Sequence, residues 1–261
     1  TEFYPSFFES AYGDAAITED RIARALAQFI RSMVSYQSKW DQGRQQAPPG
    51  PPNQGPLPNF TDQENLGKAV FFDPELGNCA VCHGTDAFIA SEARNNGLDT
   101  DPSIDPGLGG VTGIPQEIGL FKVPSLRNIG LTAPYMHDGR FETLEEVVDH
   151  YNSNVQPHPN LSHQLRIGPS GPPRRLDLTE EEQEALVAFL HTLSDEAFIT
   201  DERWSDPFCG TPSSTLQPLP QQGWTVFPNP ASSAFTVRLD NWSGHPAQLR
   251  LMNSNGQQLR S

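Results

Sequence analysis

The stretch that decides the fold is Cys79-Ala80-Val81-Cys82-His83. Two thiols separated by two residues and followed by a histidine form the attachment motif of c-type haem. Cys79 and Cys82 would form thioethers with one porphyrin, and His83 would place an imidazole nitrogen beneath the iron. The alternatives are a redox CxxC pair, which lacks a βαβ setting here, and half of a zinc site, which lacks a second ligand pair. The motif therefore predicts one covalently bound haem c.

The composition predicts a soluble chain with much loop. Its 261 residues suffice for one large or two smaller domains, and they include 25 prolines and 21 glycines. The net charge of −15 argues against binding to nucleic acid or to anionic membranes, and it would attract a basic redox partner. No stretch approaches the roughly 20 apolar residues of a membrane span. The third cysteine, Cys209, has no partner left, so we interpret it as an inert thiol.

The motif also predicts a compartment. Residue 1 is Thr1, and no basic-then-apolar leader follows it, so we expect an export signal to have been removed or to lie upstream. Covalent haem attachment takes place outside the cytoplasm. We therefore predict a periplasmic, cell-envelope or secreted protein.

Helix signals organise the chain around the motif. Residues 18–36 carry apolar side chains at helical spacing behind Thr18, a candidate cap, which predicts an amphipathic helix. Three capping boxes each open an apolar-periodic run and predict three more helices; they are Thr61/Glu64, Thr143/Glu146 and Thr179/Glu182. A helix before the motif that crosses one near the end is, by analogy, how a cytochrome c fold encloses its haem.

The remaining segments are linkers, loop and a short β region. Residues 95–135 are dense in Gly, Pro and Asp and predict irregular loop around the porphyrin edge. Alternation at Phe235, Val237 and Leu239, with a turn signal at Asn255-Gly256, predicts a β module that stops mid-pattern. The predicted fold class is mainly α, a cytochrome c-like haem domain with long irregular loops plus a small partial β-sandwich-like C-terminal module. The predicted parts are residues 1–45, a Pro-rich linker at 46–58, the haem domain at 59–203, a linker at 204–223 and the β module at 224–261.

The distal ligand of the haem is less clearly marked. The candidates are Met136, His137, His150, Tyr151 and His158. On the helix opened by Thr143, Tyr151 shares the inward face with the apolar residues, whereas His150 lies a quarter turn away and is predicted at the surface. The other interpretation of Tyr151 is a packed ring whose hydroxyl is satisfied by the protein.

Three segments carry a family resemblance. FKVPSLRNIG (121–130), LTAPYMHDGRF (131–141) and TLEEVVDHY (143–151) resemble the second haem domain of the bacterial di-haem cytochrome c peroxidase and MauG family. The resemblance spans about residues 60–200. Residues 1–45 are similar to the end of that family's first haem domain, and the rest of that domain would lie outside these 261 residues.

The resemblance implies a distal ligand. In the family this ligand lies on the helix after the Thr-Ala-Pro segment and is methionine in the peroxidases and tyrosine in MauG-like members. Tyr151 occupies that position here, with Met136 as the alternative and His137 expected to hydrogen-bond within its loop. A phenolate would favour ferric and higher states, whereas a thioether would favour Fe(II) and a higher potential.

Further site residues follow from the same resemblance. The family holds calcium between its haem domains, which makes the backbone carbonyls of Thr132 and Pro134 candidate ligands; the other interpretation of this loop is a rigid turn. Arg127 and Lys122 flank the predicted porphyrin edge, where they could pair with the haem propionates. A solvated surface role is the alternative for Lys122.

The implied function is electron transfer in an oxidoreductase. The family cleaves hydrogen peroxide at its first haem, whose CxxCH motif is absent from these residues. We therefore expect the full-length protein to be a cytochrome c peroxidase-like or MauG-like enzyme with two haems, in which this haem relays electrons from a small redox protein or an oxidised substrate. A homodimer is also an option. The alternative is a non-enzymatic single-haem electron carrier with a sorting tail.

The C-terminal tail carries a second resemblance. VFPNPASSAFTV (226–237) through MNSNGQ (252–257) resembles the type IX secretion C-terminal sorting domain and looks truncated. This resemblance implies passage across the outer membrane and removal of the tail. A plain surface β module is the alternative.

Overall fold

The computed structural model describes residues 4–101 and 105–205, together with the backbone of two strands at 223–227 and 236–240. The chain divides into two compact units, and the first ends its main segment at Thr200. The described helices of the first unit are α1 (Tyr4–Tyr12), α2 (Glu19–Ser32), α3 (Lys39–Gln46), α4 (Asp62–Phe72), α5 (Gly107–Thr112), α6 (Leu144–Asp149), α7 (Glu180–His191) and α8 (Glu196–Ile199).

The predicted helix starts are confirmed. The hydroxyls of Thr61, Thr143 and Thr179 each accept a hydrogen bond from the backbone N–H three residues on. The side chain of the glutamate at that position accepts one from the backbone N–H of the threonine. Thr18 likewise caps α2, which ends at Ser32 rather than continuing to residue 36. Local capping chemistry thus sets where these helices begin.

The core forms where α4 and α7 cross. A Cβ atom built on Gly67 of α4 would lie 1.8 Å from the carbonyl oxygen of Ala185 in α7, so the two backbones are in direct contact. Aromatic rings fill the space around this crossing: the ring centroids of Phe71 and Phe189 lie 5.1 Å apart. The ring of Trp40 on α3 joins the same cluster and is 1% exposed. Trp40 belongs to residues 1–45, which were predicted to end a preceding domain. This segment therefore contributes to the core of the haem domain, and the domain boundary itself stays a prediction.

The Pro-rich segment and the long loop are irregular, as predicted, but both are fixed to the core. Leu57 is buried, and the buried ammonium of Lys68 donates to the carbonyl of Gly55 over 2.7 Å. Within residues 95–135, α5 and several single turns interrupt the loop. Strand β1 (Ala93–Arg94), just before this loop, pairs antiparallel with strand β2 (Phe121–Lys122) inside it.

The helix opened by Thr143 changes its pitch. It is α-helical as α6 and then widens into a π-helical turn at His150–Asn154. Such turns are rare and often occur at functional sites. This turn carries the predicted distal ligand, Tyr151.

In the second unit, strand β3 (Gly223–Phe227) pairs antiparallel with strand β4 (Thr236–Asp240), and Val226 lies opposite Val237. The predicted strand at Val237 and Leu239 is confirmed. Cys209, the Asn255-Gly256 turn and most of the predicted sorting module lie outside the described residues. Among the described helices, none combines the length and the apolar character that crossing a membrane requires.

Candidate haem-binding site

The two cysteines of the motif lie on one tight turn. A 3-10 helix at Cys79–Val81 follows α4, and the N–H groups of Cys82 and His83 both donate to the carbonyl of Cys79. Burial raises the pKa of the Cys79 thiol to about 12, and it also raises the pKa of Cys82. Reactive redox cysteines have lowered pKa values instead. Two adjacent neutral thiols match the covalent attachment predicted from the motif better than a redox pair.

The imidazole of His83 is oriented by the backbone. Its Nδ1 lies 3.0 Å from the carbonyl oxygen of Phe88. Because a carbonyl can only accept, Nδ1 carries the proton and Nε2 keeps its lone pair for a metal. Burial lowers the pKa of His83, which keeps the ring neutral. Phe88 itself has a left-handed backbone (φ 52°) and a buried ring, so the accepting carbonyl is fixed by packing.

The phenol of Tyr151 comes to the same place from the π-helical turn. Burial raises its pKa to about 12, and an interaction with the side chain of Asn96 acts in the opposite direction. Charges on Cys82 and Cys79 would raise this pKa further, so Tyr151 lies within electrostatic range of both thiols. The fold thus brings the predicted distal ligand to the attachment motif.

The sulfur of Met136, the alternative ligand, is already engaged. Met136 follows the Thr-Ala-Pro segment with a left-handed backbone (φ 71°). Its Sδ accepts a hydrogen bond from Nδ2 of Asn96 at 3.4 Å. The sulfur has two lone pairs, so this bond orients the side chain and leaves Met136 as the alternative ligand.

The surface position predicted for His150 is wrong. Its side chain is buried, and its Nε2 donates to the backbone carbonyl of Asn96 over 3.0 Å. The prediction treated the helix face of His150 as open to solvent, but the loop segment 95–97 packs onto it. Burial lowers the pKa of His150, so the ring stays neutral.

The other two histidine candidates lie in the loops. The ring of His137 stacks on Phe121 with centroids 3.7 Å apart. His158 is buried, and its Nδ1 accepts the backbone N–H of Asn160 at 3.0 Å.

The guanidinium of Arg127 has protein partners. It forms two hydrogen bonds, of 2.8 and 2.9 Å, to the carboxylate of Asp41, and it also donates to the carbonyl of Asp86. Lys122 donates to the carbonyl of Val123 at 2.6 Å, and its charge helps to lower the pKa of His83. Lys122 is therefore close to the predicted proximal ligand. Propionate pairing by either cation stays a prediction.

Two loops offer oxygen atoms to a cation. Thr132 and Pro134 are exposed, and neither carbonyl accepts a hydrogen bond from another described residue. Elsewhere Asp99, His137 and Asp138 approach one another within 4.8 Å. The guanidinium of Arg140 pairs with both of those carboxylates, at 2.9 and 2.6 Å, and already supplies their positive partner.

The residues present fit a covalently attached haem. Two neighbouring neutral thiols, a histidine oriented by the carbonyl of Phe88 and the partly buried phenol of Tyr151 lie in one part of the fold. Soft thioether attachment with nitrogen and oxygen axial donors is chemistry that haem iron accepts.

Comparison with known proteins decides the family. The sequence profile of the di-haem cytochrome c peroxidases matches residues 1–47 and 61–166, more than half of the chain. This chain belongs to the di-haem cytochrome c peroxidase family. The residues between the two matched ranges, 48–60, largely coincide with the Pro-rich segment. Its homologues are named as MauG and as cytochrome c peroxidases, so a haem oxidoreductase role holds at the level of the family.

Individual relatives give the extent of the likeness. The chain is 32% identical over 199 residues to the methylamine utilization protein MauG of Methylophilus methylotrophus, covering 74% of this chain and 52% of that protein. It is 40% identical over 222 residues to the cytochrome-c peroxidase IdrP1 of Denitromonas iodatirespirans, covering 73% and 54%. Among solved structures, a MauG-like protein associated with microbial copper homeostasis is similar with a TM-score of 0.57 and 33% identity, covering 77% of this chain and 64% of that one. The chain thus spans about half the length of the curated relatives it matches.

The sequence analysis missed two groups at the site, Asn96 and the carbonyl of Phe88. No side-chain pattern indicates a carbonyl that accepts from a ligand histidine. For Asn96, the usable signal was the glycine that follows it. Gly97 has a left-handed backbone (φ 69°), and a Cβ atom built on it would lie 2.6 Å from Cγ1 of Val155. A glycine required at that contact indicates that the segment touches the helix carrying Tyr151.

Proposed function

We propose that this chain is the electron-transfer haem domain of an exported di-haem oxidoreductase, with Cys79 and Cys82 attached to haem c, His83 as proximal ligand and Tyr151 as distal ligand. The observation that supports the proposal is the position of Tyr151, on a π-helical turn and within electrostatic range of Cys82 and Cys79. Haem supplies reversible one-electron chemistry at iron, and the protein supplies the ligands and the surroundings.

The proximal side is arranged for a neutral nitrogen donor. The bond from Nδ1 of His83 to the carbonyl of Phe88 fixes the ring and directs Nε2 away from that carbonyl. A carbonyl acceptor raises the basicity of the imidazole moderately, without placing a formal charge behind it. The nearby charge of Lys122 disfavours protonation of this ring, which keeps Nε2 available as a ligand.

The distal side determines the redox properties. A phenolate oxygen is a hard, anionic donor that stabilises ferric iron and lowers the reduction potential. Tyr151 therefore predicts a domain that retains oxidising equivalents, in contrast to a domain with a methionine ligand.

The direct test replaces Tyr151 with phenylalanine in the haem-loaded protein. We expect Tyr151→Phe to remove the phenolate-to-iron charge-transfer band of the ferric protein and to change its spin state, with haem still attached through both cysteines. Met136→Leu is the matched control and should leave that band in place. An unchanged low-spin ferric spectrum in Tyr151→Phe would sink the assignment.

Two measurements on the full-length protein test its activity. We propose that hydrogen peroxide reacts at a second haem and that a small basic redox protein or an oxidised substrate exchanges electrons with the haem described here. The net charge of −15 supports a basic partner. A count of two haems supports the enzyme, and a single haem supports the alternative electron carrier. Fast peroxide turnover by this chain alone would contradict the division of roles.

Export, the sorting tail and calcium complete the proposal. Covalent haem attachment supports a periplasmic, cell-envelope or secreted location, and the resemblance of residues 226–257 to a type IX sorting domain supports passage across the outer membrane. Mass spectrometry of the secreted protein tests this, because an intact tail would count against sorting. For calcium, the exposed carbonyls of Thr132 and Pro134 are the proposed ligands. Isothermal titration of the calcium-depleted full-length protein tests that site.

A further inference from the structure

The carbonyl that orients His83 belongs to a residue with an unfavourable backbone conformation. Phe88 has a φ of 52°, in the left-handed region that bulky residues rarely adopt. Such a conformation persists only where the surrounding contacts hold it. Nδ1 of His83 lies 3.0 Å from the carbonyl oxygen of Phe88, so the direction of the imidazole depends on how this part of the backbone is held.

A short segment of the long loop holds two consecutive carbonyls here. The hydroxyl of Ser125 donates to the carbonyl of Ala87 at 2.6 Å, and the backbone N–H of Leu126 donates to the carbonyl of Phe88 at 3.3 Å. The carbonyl of Phe88 therefore accepts two hydrogen bonds, one from Leu126 and one from His83, which a carbonyl with two lone pairs allows.

The hydrogen of the Ser125 hydroxyl has one direction. The backbone N–H of Arg127 donates to Oγ of Ser125 at 3.1 Å and so uses one of its lone pairs. A carbonyl can only accept, so the single hydroxyl hydrogen lies between Oγ and the carbonyl oxygen of Ala87. The other end of the Ala87–Phe88 peptide, the N–H of Phe88, donates to the carbonyl of Thr85 at 2.8 Å. The peptide that precedes the strained residue is thus held at both ends.

We propose that Ser125 is a positioning residue for the proximal ligand: its hydroxyl holds the Ala87–Phe88 peptide so that the carbonyl of Phe88 stays aligned with Nδ1 of His83. This inference rests on His83 being a ligand of the haem iron, as in the proposed function. A carbonyl that accepts from Nδ1 makes the imidazole a stronger donor to iron, which favours the ferric state. Loss of the Ser125 hydroxyl therefore weakens the bond from Nδ1 and raises the reduction potential.

The experiment compares four haem-loaded proteins: the parent, Ser125→Ala, Ser125→Thr and Thr85→Val. In Ser125→Ala we expect about a threefold shift toward the ferrous state, which is a rise of about 28 mV in a one-electron potential. Proton NMR of the ferric protein gives a second readout, because the iron moves the resonance of the Nδ1 proton of its histidine ligand away from the others. That proton should exchange with deuterium oxide about tenfold faster in Ser125→Ala.

The two remaining variants are the rescue and the control. Ser125→Thr keeps the hydroxyl and should keep both parent values. Thr85→Val removes a hydroxyl from the same turn, but that hydroxyl bonds to the backbone of Ile89, so both values should again match the parent. If the added methyl group prevents Ser125→Thr from folding, the comparison of Ser125→Ala with Thr85→Val decides. A merely structural role would lower the melting temperature of Ser125→Ala without moving either value.

The outcomes separate this inference from the proposed function. If the parent shows no iron-shifted Nδ1 proton of a histidine, the assignment of His83 as ligand fails, and the proposed function fails with it. If that proton is present but Ser125→Ala keeps the potential and the exchange rate of the parent, the ligand stands and the role of Ser125 is refuted. A fall in potential in Ser125→Ala, or an equal change in Thr85→Val, would also refute that role.

Discussion

Replacing Gly67 with alanine tests the crossing of α4 and α7 that supports the haem motif. The added Cβ would lie 1.8 Å from the carbonyl oxygen of Ala185 and 2.9 Å from the backbone nitrogen of Leu186. Both obstacles are backbone atoms, so the two helices must separate by more than about 1 Å to reach a normal contact distance. We expect this overlap to cost about 3 kcal/mol, the upper part of the range for overpacking a core.

A smaller gain opposes that cost. Alanine in a helix interior is about 1 kcal/mol more favourable than glycine, which leaves a net loss of about 2 kcal/mol in the free energy of unfolding. For a chain of this size the midpoint of thermal unfolding should fall by about 4–8 °C. Calorimetry of the haem-loaded protein, together with urea unfolding followed by circular dichroism, measures both quantities.

The matched control is Gly43→Ala in α3. There the new Cβ meets side-chain atoms rather than backbone, the amide oxygen of Asn59 at 2.3 Å and Cδ1 of Leu57 at 3.0 Å, so relief requires side-chain rotation and no separation of helices. We expect Gly43→Ala to retain most of the helix-propensity gain and to unfold within a few degrees of the parent. A Gly67→Ala variant as stable as Gly43→Ala would refute direct backbone contact at the crossing.

Two further changes test other parts of the site. Arg127→Lys removes the bidentate contact with Asp41, so urea unfolding should show a loss of about 2 kcal/mol with an unchanged reduction potential; a changed potential would instead favour propionate pairing. His158 has a pKa below 6.5, mainly because of burial and then because of the charge of Arg166. Its unfolded form therefore takes up a proton first as the pH falls through about 6.5, so its contribution to stability is present above that pH and is lost below it. His158→Asn keeps an acceptor for the N–H of Asn160 without titrating, and it should flatten the loss of melting temperature between about pH 7.5 and 5.5; an unchanged pH dependence would contradict this.

The elements that the sequence predicted well are those fixed by local chemistry. A threonine followed three residues later by glutamate completes its own hydrogen bonds, so the starts of the helices at Thr61, Thr143 and Thr179 needed no tertiary information. The same holds for the attachment motif, whose spacing alone predicts haem. The helix face that carries Tyr151 was also readable, because α6 keeps regular periodicity up to the π-helical turn.

Features that depend on distant contacts were not readable. His150 is buried because residues 95–97 pack onto its helix face, about 50 positions away in sequence, and nothing local indicates this. The buried carboxylate of Asp195 likewise accepts from the N–H groups of Tyr36 and Gln37 and so fixes the chain between α2 and α3. Pairings of this kind arise from the assembled core, where backbone groups must find partners wherever the fold places them.

The raised pKa of Tyr151 determines the protonation state in which the residue would meet the haem iron. A pKa of about 12 keeps the phenol of Tyr151 protonated at neutral pH. Without iron the residue is therefore a neutral phenol, and binding to iron would have to displace its proton. The proximal histidine donates to a carbonyl rather than a carboxylate, so it adds little anionic charge to compete with such a ligand. In the proposed arrangement, a neutral proximal donor opposite the phenol of Tyr151 would favour ferric iron.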